Sequence, residues 1–380
     1  MDLIKVGVIG VGSPIADYHI AGINSTKLAR VTAVCDIIEE KAKNFAGYWK
    51  TEAYTSSVEM LKKCDLDVIM ILTPPISHAP LAIEAMEAGK HVFVQKPMAT
   101  TLEAADEMIA VQKRNGVKMM INAQHAYYPE SLLAKRLIDE GKIGDIYQVK
   151  QDNLHPSSFV YPVDNFRFDP IRGGGGCMMD IGAHGIYLLR HFIGEIARVS
   201  ATVRTNIGER DGVPIRVEDT VNALYEFENG VIGVHAISFS SRHPAYSQWE
   251  TEIYGSKGTI LLRSSMGRIA YYSTELEEPG WWTLPTTLDA RALEMSRGMG
   301  SRESAYRIRL GQPEPQHTHF IRDVILGGKT PVAGSPQDGK RCLEVIMTIY
   351  NSGRQKGTML NVPDPYNPYK DDPPISPWLL

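Results

Sequence analysis

Short apolar, β-branched runs alternate with stretches of helical periodicity through the first third of the chain, the signature of βαβ units around a parallel sheet. Strands are expected over residues 5–9, 29–36, 68–72, 91–94 and 118–122, with helical patterns around Asn44 and over 57–64, 80–88 and 102–115. Beyond Gln124 the pattern changes to long alternating runs over 220–227, 231–239 and 248–254, punctuated by the turn pairs Asn229-Gly230 and Gly255-Ser256. The fold class read from this is α/β: an N-terminal doubly wound parallel sheet of Rossmann type, then an α+β domain with a large, open, mostly antiparallel sheet. The expected domains are residues 1–124, residues 125–362 and a proline-rich surface arm over 363–380. Helices are expected over 129–140, bridging the two domains, and over 177–193. The stretch 275–316 has little periodicity and is expected to be a substrate lid or an oligomer contact.

Composition narrows the partner. Forty basic residues against 44 acidic ones give a net charge of −4, which supplies no field to recruit nucleic acid or an anionic membrane. A small molecule is the default ligand. Cys35, Cys64, Cys177 and Cys342 are far apart and form no C-x-x-C pair, so reduced thiols are expected rather than a disulfide framework or zinc ribbon. The apolar run from Ile4 has no basic region or cleavage site ahead of it, and no run is long enough to span a bilayer; a cytoplasmic protein is expected.

Gly7-Val8-Ile9-Gly10-Val11-Gly12 closes the first expected strand. Glycines there let the backbone turn tightly and approach a pyrophosphate at a helix N-terminus. The usual G-x-G-x-x-G spacing is not met, because Pro14 is inserted and position 15 is Ile; Gly10, Gly12, Ser13, Pro14 and Ile15 form the candidate turn. Asp36, at the end of the second strand, can accept hydrogen bonds from the adenosine ribose. No Arg follows it, and its charge repels a 2′-phosphate, so NAD is favoured over NADP. Thr73, Pro74, Pro75 and His78 make a turn placed to lie under the nicotinamide ribose, although His78 alone reads as a helix-cap residue rather than a catalyst.

Gln95 and Lys96 follow the run 91–94, placing an ammonium at the carboxyl edge of the parallel sheet, where ligands bind in open α/β folds. A second cluster runs from Gly173 to His184: four glycines permit close backbone approach, and Asp180 and His184, four apart, share a helix face. The loop 155–172 carries Phe159, Tyr161, Phe166 and Phe168 among polar residues such as Asp164, Asn165 and Arg167, a mixture suited to a sugar or to a core. His317 and His319, two apart with Gln316 beside them, do not share a helix or strand face, and no metal is expected.

With these motifs in order, the chain resembles the Gfo/Idh/MocA oxidoreductases, typified by glucose-fructose oxidoreductase and inositol dehydrogenase. The resemblance takes in Gly7 to Gly12, Asp36, Thr73-Pro74-Pro75 with His78, Ala88 to Val92 leading to Lys96-Pro97, and Gly173 to His184. It continues through Val217-Glu218-Asp219-Thr220, Asn229-Gly230 and Tyr254 to Thr259. It implies that the Lys of a Glu-Lys-Pro motif and the Asp and His of a D-x-G-x-H motif handle a substrate hydroxyl; those roles fall on Lys96, Asp180 and His184. Removing a hydride from carbon and a proton from oxygen calls for a base and a group that stabilises alkoxide charge. His184 is assigned the base and Lys96 the oxygen-binding role, with exchange of the two left open, and Asp180 orients the sugar or the His.

Two positions depart from the family pattern. Gln95 replaces the motif's Glu, removing a charge that favours the ammonium, so a lowered Lys96 pKa is expected. Gln124 to Pro129 lacks the arginine of an Arg-aromatic-x-Pro pattern, which leaves His125 and Tyr127, with Asn165 and Arg167, as substrate-binding candidates. The expected function is NAD-dependent oxidation, or reverse reduction, of a secondary hydroxyl of a sugar, glycoside or cyclitol. The alternatives are a redox-neutral NAD-dependent glycosidase or lyase and a catalytically idle dinucleotide sensor. A homodimer or homotetramer through the open sheet is expected.

Overall fold

The computed structural model describes residues 2–242, 248–263, 268–274, 280–284 and 315–379. The chain divides into two compact units, Met1–Asn122 with Ser301–Lys340, and Ala123–Gly300 with Arg341–Leu380.

The first unit is built on six parallel strands, β1 (Ile4–Ile9), β2 (Ala29–Cys35), β3 (Glu52–Tyr54), β4 (Val68–Ile71), β5 (His91–Val94) and β6 (Met119–Ile121), in the order β3-β2-β1-β4-β5-β6. Val8, Ile69, Met70, Ile71, Val92, Phe93 and Val94 are fully buried, as crossover helices on both faces demand. Those helices are α1 (Ala16–Ser25), α2 (Glu39–Trp49), α3 (Ser57–Lys63), α4 (His78–Glu87) and α5 (Leu102–Asn115). Ser56 and Thr101 start α3 and α5 by accepting from the amides of Glu59 and Ala104, and Gly116 ends α5 in the left-handed region at φ +63°. The later segment up to Lys340 returns to this unit: Ile121 donates its amide to the Gly334 carbonyl (2.7 Å), and the Phe320 ring meets Phe93 edge-on at 5.3 Å.

The second unit opens with α6 (Pro129–Asp139) and β7 (Ile146–Leu154). It continues through β8 (Ile196–Arg204), the small hairpin β9 (Glu209–Arg210) and β10 (Val213–Pro214), β11 (Thr220–Phe227), β12 (Ile232–Ser238), β13 (Gln248–Gly255), β14 (Gly258–Arg263), β15 (Arg268–Ser273), β16 (Gly280–Leu284) and β17 (Leu360–Asn361). Nine of these form one sheet, β16-β15-β14-β13-β7-β12-β11-β8-β17, in which β7 and β12 run parallel and every other pair antiparallel. Period-two alternation turns Val221, Ala223, Tyr225 and Phe227 into the core of this unit, while Leu224 faces out.

The last residues differ from the expected surface arm. Val362 donates to the Ala197 carbonyl, Thr205 to that of Trp378, and Tyr369 and Trp378 are buried. Aromatic anchors spaced among the prolines tie the segment down. Of the stretch 275–316, only 280–284 and its last two residues are described, so the expected lid or oligomer contact lies outside the described residues. No helix among the described residues is long and apolar enough to cross a membrane.

Candidate active site

In the first unit the strand order reverses at β1, which has β2 on one side and β4 on the other, and the carboxyl ends there open the crevice that takes a dinucleotide. Gly10 sits at φ +89°, and a Cβ on it would stand 2.8 Å from Thr73 Cγ2, so only glycine lets the β1 and β4 loops approach. Ser13 donates its amide to the Gly10 carbonyl at 3.1 Å, and Pro14 and Ile15 lead into α1, with Ile15 at the cap position. Asp36 is almost buried; its two carboxylate oxygens accept from the Gly12 amide (2.7 Å) and the Ile38 amide (3.0 Å). Gly turn, acidic strand end and helix N-terminus therefore meet, as a dinucleotide requires.

Thr73 follows β4, and its hydroxyl accepts from Ser77 at 2.7 Å, at the end of the short 3₁₀ turn that begins at Pro75 after Pro74. His78 does not present its ring to a ligand. It is fully buried, with Nδ1 2.7 Å from the Pro97 carbonyl and Nε2 2.8 Å from that of Thr73, and so braces two loops of the crevice. Burial pushes its pKa down to about 4 despite the two carbonyls, which favour the protonated form. Neutral, it donates to one carbonyl at a time.

Lys96 follows β5 by one residue. Gln95 turns inward rather than toward the crevice: it is 5% exposed, its carbonyl oxygen accepts from Asn122 (2.8 Å), and its amide nitrogen meets His19 Nε2 (2.7 Å).

In the second unit the glycine run is enforced by its neighbours. A Cβ on Gly176 would collide with the Glu218 carbonyl, and Gly175 sits at φ +150° against Tyr350. The expected helix over 177–193 begins as a π-turn, Met178–Gly182, before the α-helix Ala183–Ile193. Such turns widen the spacing locally and often occur where side chains are displayed for function. Asp180 and His184, four residues apart, consequently have different partners.

Asp180 accepts from Arg167 Nε at 2.7 Å. The Arg167 guanidinium is held between the rings of Phe166 and Tyr161, 4.6 and 4.8 Å from their centroids, and Asn165 accepts from its backbone amide (3.1 Å) and from Nη1 (3.4 Å). Burial works against the Arg167 charge, and the Asp180 carboxylate outweighs it, leaving the pKa raised. His155 lies beside this group, stacked on Tyr161 and bonded to Ser157; burial takes it down to about 4. Arg167 and Asn165, read from sequence as substrate contacts, are here the supports of Asp180.

His184 packs its ring against His125 (4.5 Å between centroids) and, edge-on, against Trp249 (5.7 Å), while His125 stacks on Trp249 (4.7 Å). Tyr127 is 2% exposed and belongs to the core. Sequence reading missed Trp249; its signal was its place at the head of β13, in register with Asn153 and on the inward side with Thr251 and Ile253. His317 and His319 diverge: His317 bonds His19, and His319 bonds Asp323 one turn away. Among the described residues no group of three or more His, Cys, Asp or Glu is arranged for a metal.

Residues 4–123 match the family model described as "Oxidoreductase family, NAD-binding Rossmann fold", and residues 131–261 match "GFO/IDH/MocA C-terminal domain". The chain belongs to the Gfo/Idh/MocA oxidoreductase family. Among the relatives of this oxidoreductase is the levoglucosan dehydrogenase of Pseudarthrobacter phenanthrenivorans, 29% identical over 66% of this chain and 69% of that protein. Another is the inositol 2-dehydrogenase of Rhizobium meliloti, 28% identical over 69% of this chain and 76% of that protein. A solved levoglucosan dehydrogenase in complex with NADH and levoglucosan superposes with a TM-score of 0.83 at 24% identity, covering 96% of this chain and all of that one, a likeness of fold. NAD is the cofactor of this oxidoreductase. Gly10, Gly12 and Asp36 are the residues whose geometry fits the dinucleotide.

Proposed function

We propose that this oxidoreductase oxidises a secondary hydroxyl of a sugar, glycoside or cyclitol, or reduces the corresponding ketone. The reading is carried by the second-unit cluster, in which an arginine-supported carboxylate on a glycine-preceded π-turn stands four residues before an imidazole set among aromatic rings at the start of the following helix. Aromatic faces beside fixed hydrogen-bonding groups suit a polyhydroxylated ring. Relatives named for levoglucosan and inositol support the same substrate class. Bound NAD supplies the hydride acceptor. His184 takes the hydroxyl proton, Lys96 holds the oxygen and offsets its developing charge, and Asp180, fixed by Arg167, accepts from a second hydroxyl and sets the ring's orientation.

The test is NADH formation from NAD with sugars, glycosides and inositols. Substrate-dependent NADH that falls about a hundredfold in Lys96→Ala is the expected result, the scale on which a positioned acid–base group acts. Retained NAD with no net NADH, while a glycoside is consumed, would instead assign the redox-neutral reaction.

The outer face of the large sheet also favours self-association. Leu224 and Ile232 stand 52% and 55% exposed on neighbouring strands, and an open sheet face carrying such residues is buried by a second copy. Light scattering is expected to give a dimer or tetramer, converted toward monomer by Leu224→Lys with Ile232→Lys; a wild-type monomer removes the idea.

A further inference from the structure

Two features that the proposed chemistry does not use meet inside the first unit: Gln95, where the family motif has glutamate, and His317. They are joined through His19 of α1. Asn122 Nδ2 donates to Gln95 Oε1 (2.8 Å), Gln95 Nε2 lies 2.7 Å from His19 Nε2, and His19 Nδ1 lies 2.8 Å from His317 Nε2. Asn122, Gln95, His19 and His317 are 1, 5, 0 and 0% exposed.

The direction of the row follows from one amide. With its oxygen taken by Asn122, Gln95 has only N–H to offer His19, so His19 Nε2 accepts and its proton sits on Nδ1. That proton faces His317 Nε2, which must also be bare. Burial, with His317 next to it, holds His19 well below the ordinary histidine range and keeps it neutral. The rings of Tyr18 and Phe93 enclose the two imidazoles. A side chain at Gly22 would collide with the His317 ring, so this glycine lets the α1 backbone admit it.

We infer that His19 and His317 are positioning residues for Lys96, acting through the Gln95 carboxamide. The inference rests on the reading that Lys96 takes part in the reaction. Gln95 is gripped at both ends, by α1 through His19 and by the end of β6 through Asn122, and Lys96 is the next residue of the chain, so its backbone adjoins a fixed point. A glutamate at 95 only accepts, so it would force His19 to present Nε2–H and would reverse the row. Residues 95, 19 and 317 thus form one matched set, and the departure from the family motif at 95 has its complement in two histidines far away in sequence.

The discriminating pair is His317→Gln and His317→Phe. Glutamine still offers an oxygen to His19 Nδ1–H, whereas phenylalanine keeps a ring against Phe93 and accepts nothing. The expected result, per NAD-binding site, is kcat within about threefold of wild type for His317→Gln and lowered about tenfold or more for His317→Phe, the penalty typical of a misplaced catalytic group, with NAD affinity changed by less than about threefold in both. The reverse order would mean that the ring matters only for packing and would overturn the inference. Nitrogen-15 spectra of the wild-type imidazoles need no variant: His19 is expected protonated at Nδ1 and bare at Nε2 at neutral pH, and the opposite tautomer or an imidazolium refutes the row. Lys96→Ala separates the two readings. If it keeps turnover, the assignment of Lys96 fails; if it is inactive while His317→Phe turns over like wild type, the positioning row alone fails.

Discussion

Lowering the pH from 7 to 5 is expected to destabilise the protein by roughly 2 kcal/mol for each buried histidine held at about 4 or below, which is about 4 kcal/mol from His78 and His235 together, with His19 acting in the same direction. Burial is the first cause in each case: it holds His19 well below 6.5, His78 at about 4 and, in the second unit, His235 at about 3. The sign follows from proton counting. Between the folded values and 6.5 the unfolded chain binds protons that the folded chain does not, so the stability these groups allow is complete above 6.5 and drains away as the pH falls. The carboxylates enter later; Asp323, held at about 2 chiefly by Arg322, begins to matter only below the usual carboxylate range. Against a typical total of about 5–15 kcal/mol this is a large share. Thermal unfolding followed at pH 7, 6 and 5 should show a steep fall in Tm, and His235→Gln should flatten its slope by one proton's worth. A Tm unchanged down to pH 5 would show that the histidines are not buried as neutral groups.

The Rossmann half was legible because its physics is local. Buried parallel strands read as apolar runs, so 91–94 coincides with β5; in the second unit it is period-two alternation that makes 220–227 coincide with the antiparallel β11. Three-residue β3, at the sheet edge with only its last residue even half-buried, leaves no such run and was missed. The return of the segment up to Lys340 to the first unit is a contact across some 200 residues, made by Phe320, Gly334 and Gly339, and nothing in its local pattern marks it. The π-turn at Met178–Gly182 differs from an α-helix by one residue per turn, which periodicity over five residues does not resolve.

The site was legible as a set of residue types and less so as a set of roles. Gly10, Gly12 and Asp36 are constrained by backbone geometry that a motif encodes, and they meet as expected. His78, Asn165 and Arg167 were named as ligand contacts, whereas in the structure their side chains bond to loop carbonyls or to one another and Asp180; residue type does not separate a side chain that faces a ligand from one that supports it. The same limit applied to Gln95. It was read only from its place before Lys96, and the bonds that its carboxamide makes to His19 and Asn122, distant in sequence, leave no local signal.

Glu218→Ala is expected to cost at least about 4 kcal/mol and to disable the site in whatever protein remains folded. The Glu218 side chain is fully buried and gathers four donors: the amides of Gly176 (2.9 Å) and Met178 (3.0 Å), the Tyr350 hydroxyl (2.8 Å) and the Tyr369 hydroxyl. Burial raises its pKa while these donors pull it down. Its backbone continues the grip, accepting from the Cys177 amide at 3.0 Å and donating to Tyr369, whose oxygen also accepts from Trp378 Nε1. Alanine would leave four donors dry, each worth about 1–3 kcal/mol, with partial relief from water and relaxation. Gly176 and Met178 immediately precede Asp180, so the same bonds fix the π-turn that displays it, and Tyr369 and Trp378 bring the chain's last residues into that support. Three results should therefore appear together in Glu218→Ala: a lowered unfolding midpoint, proteolytic cleavage beyond Pro363, and loss of kcat with NAD binding retained, because the dinucleotide turn belongs to the first unit. Tyr350→Phe, which removes one donor and strands no acceptor that lacks other partners, should cost only about 1 kcal/mol. If Glu218→Ala unfolds within about 1 kcal/mol of wild type, the carboxylate is not the clasp that holds the π-turn and the chain's end together.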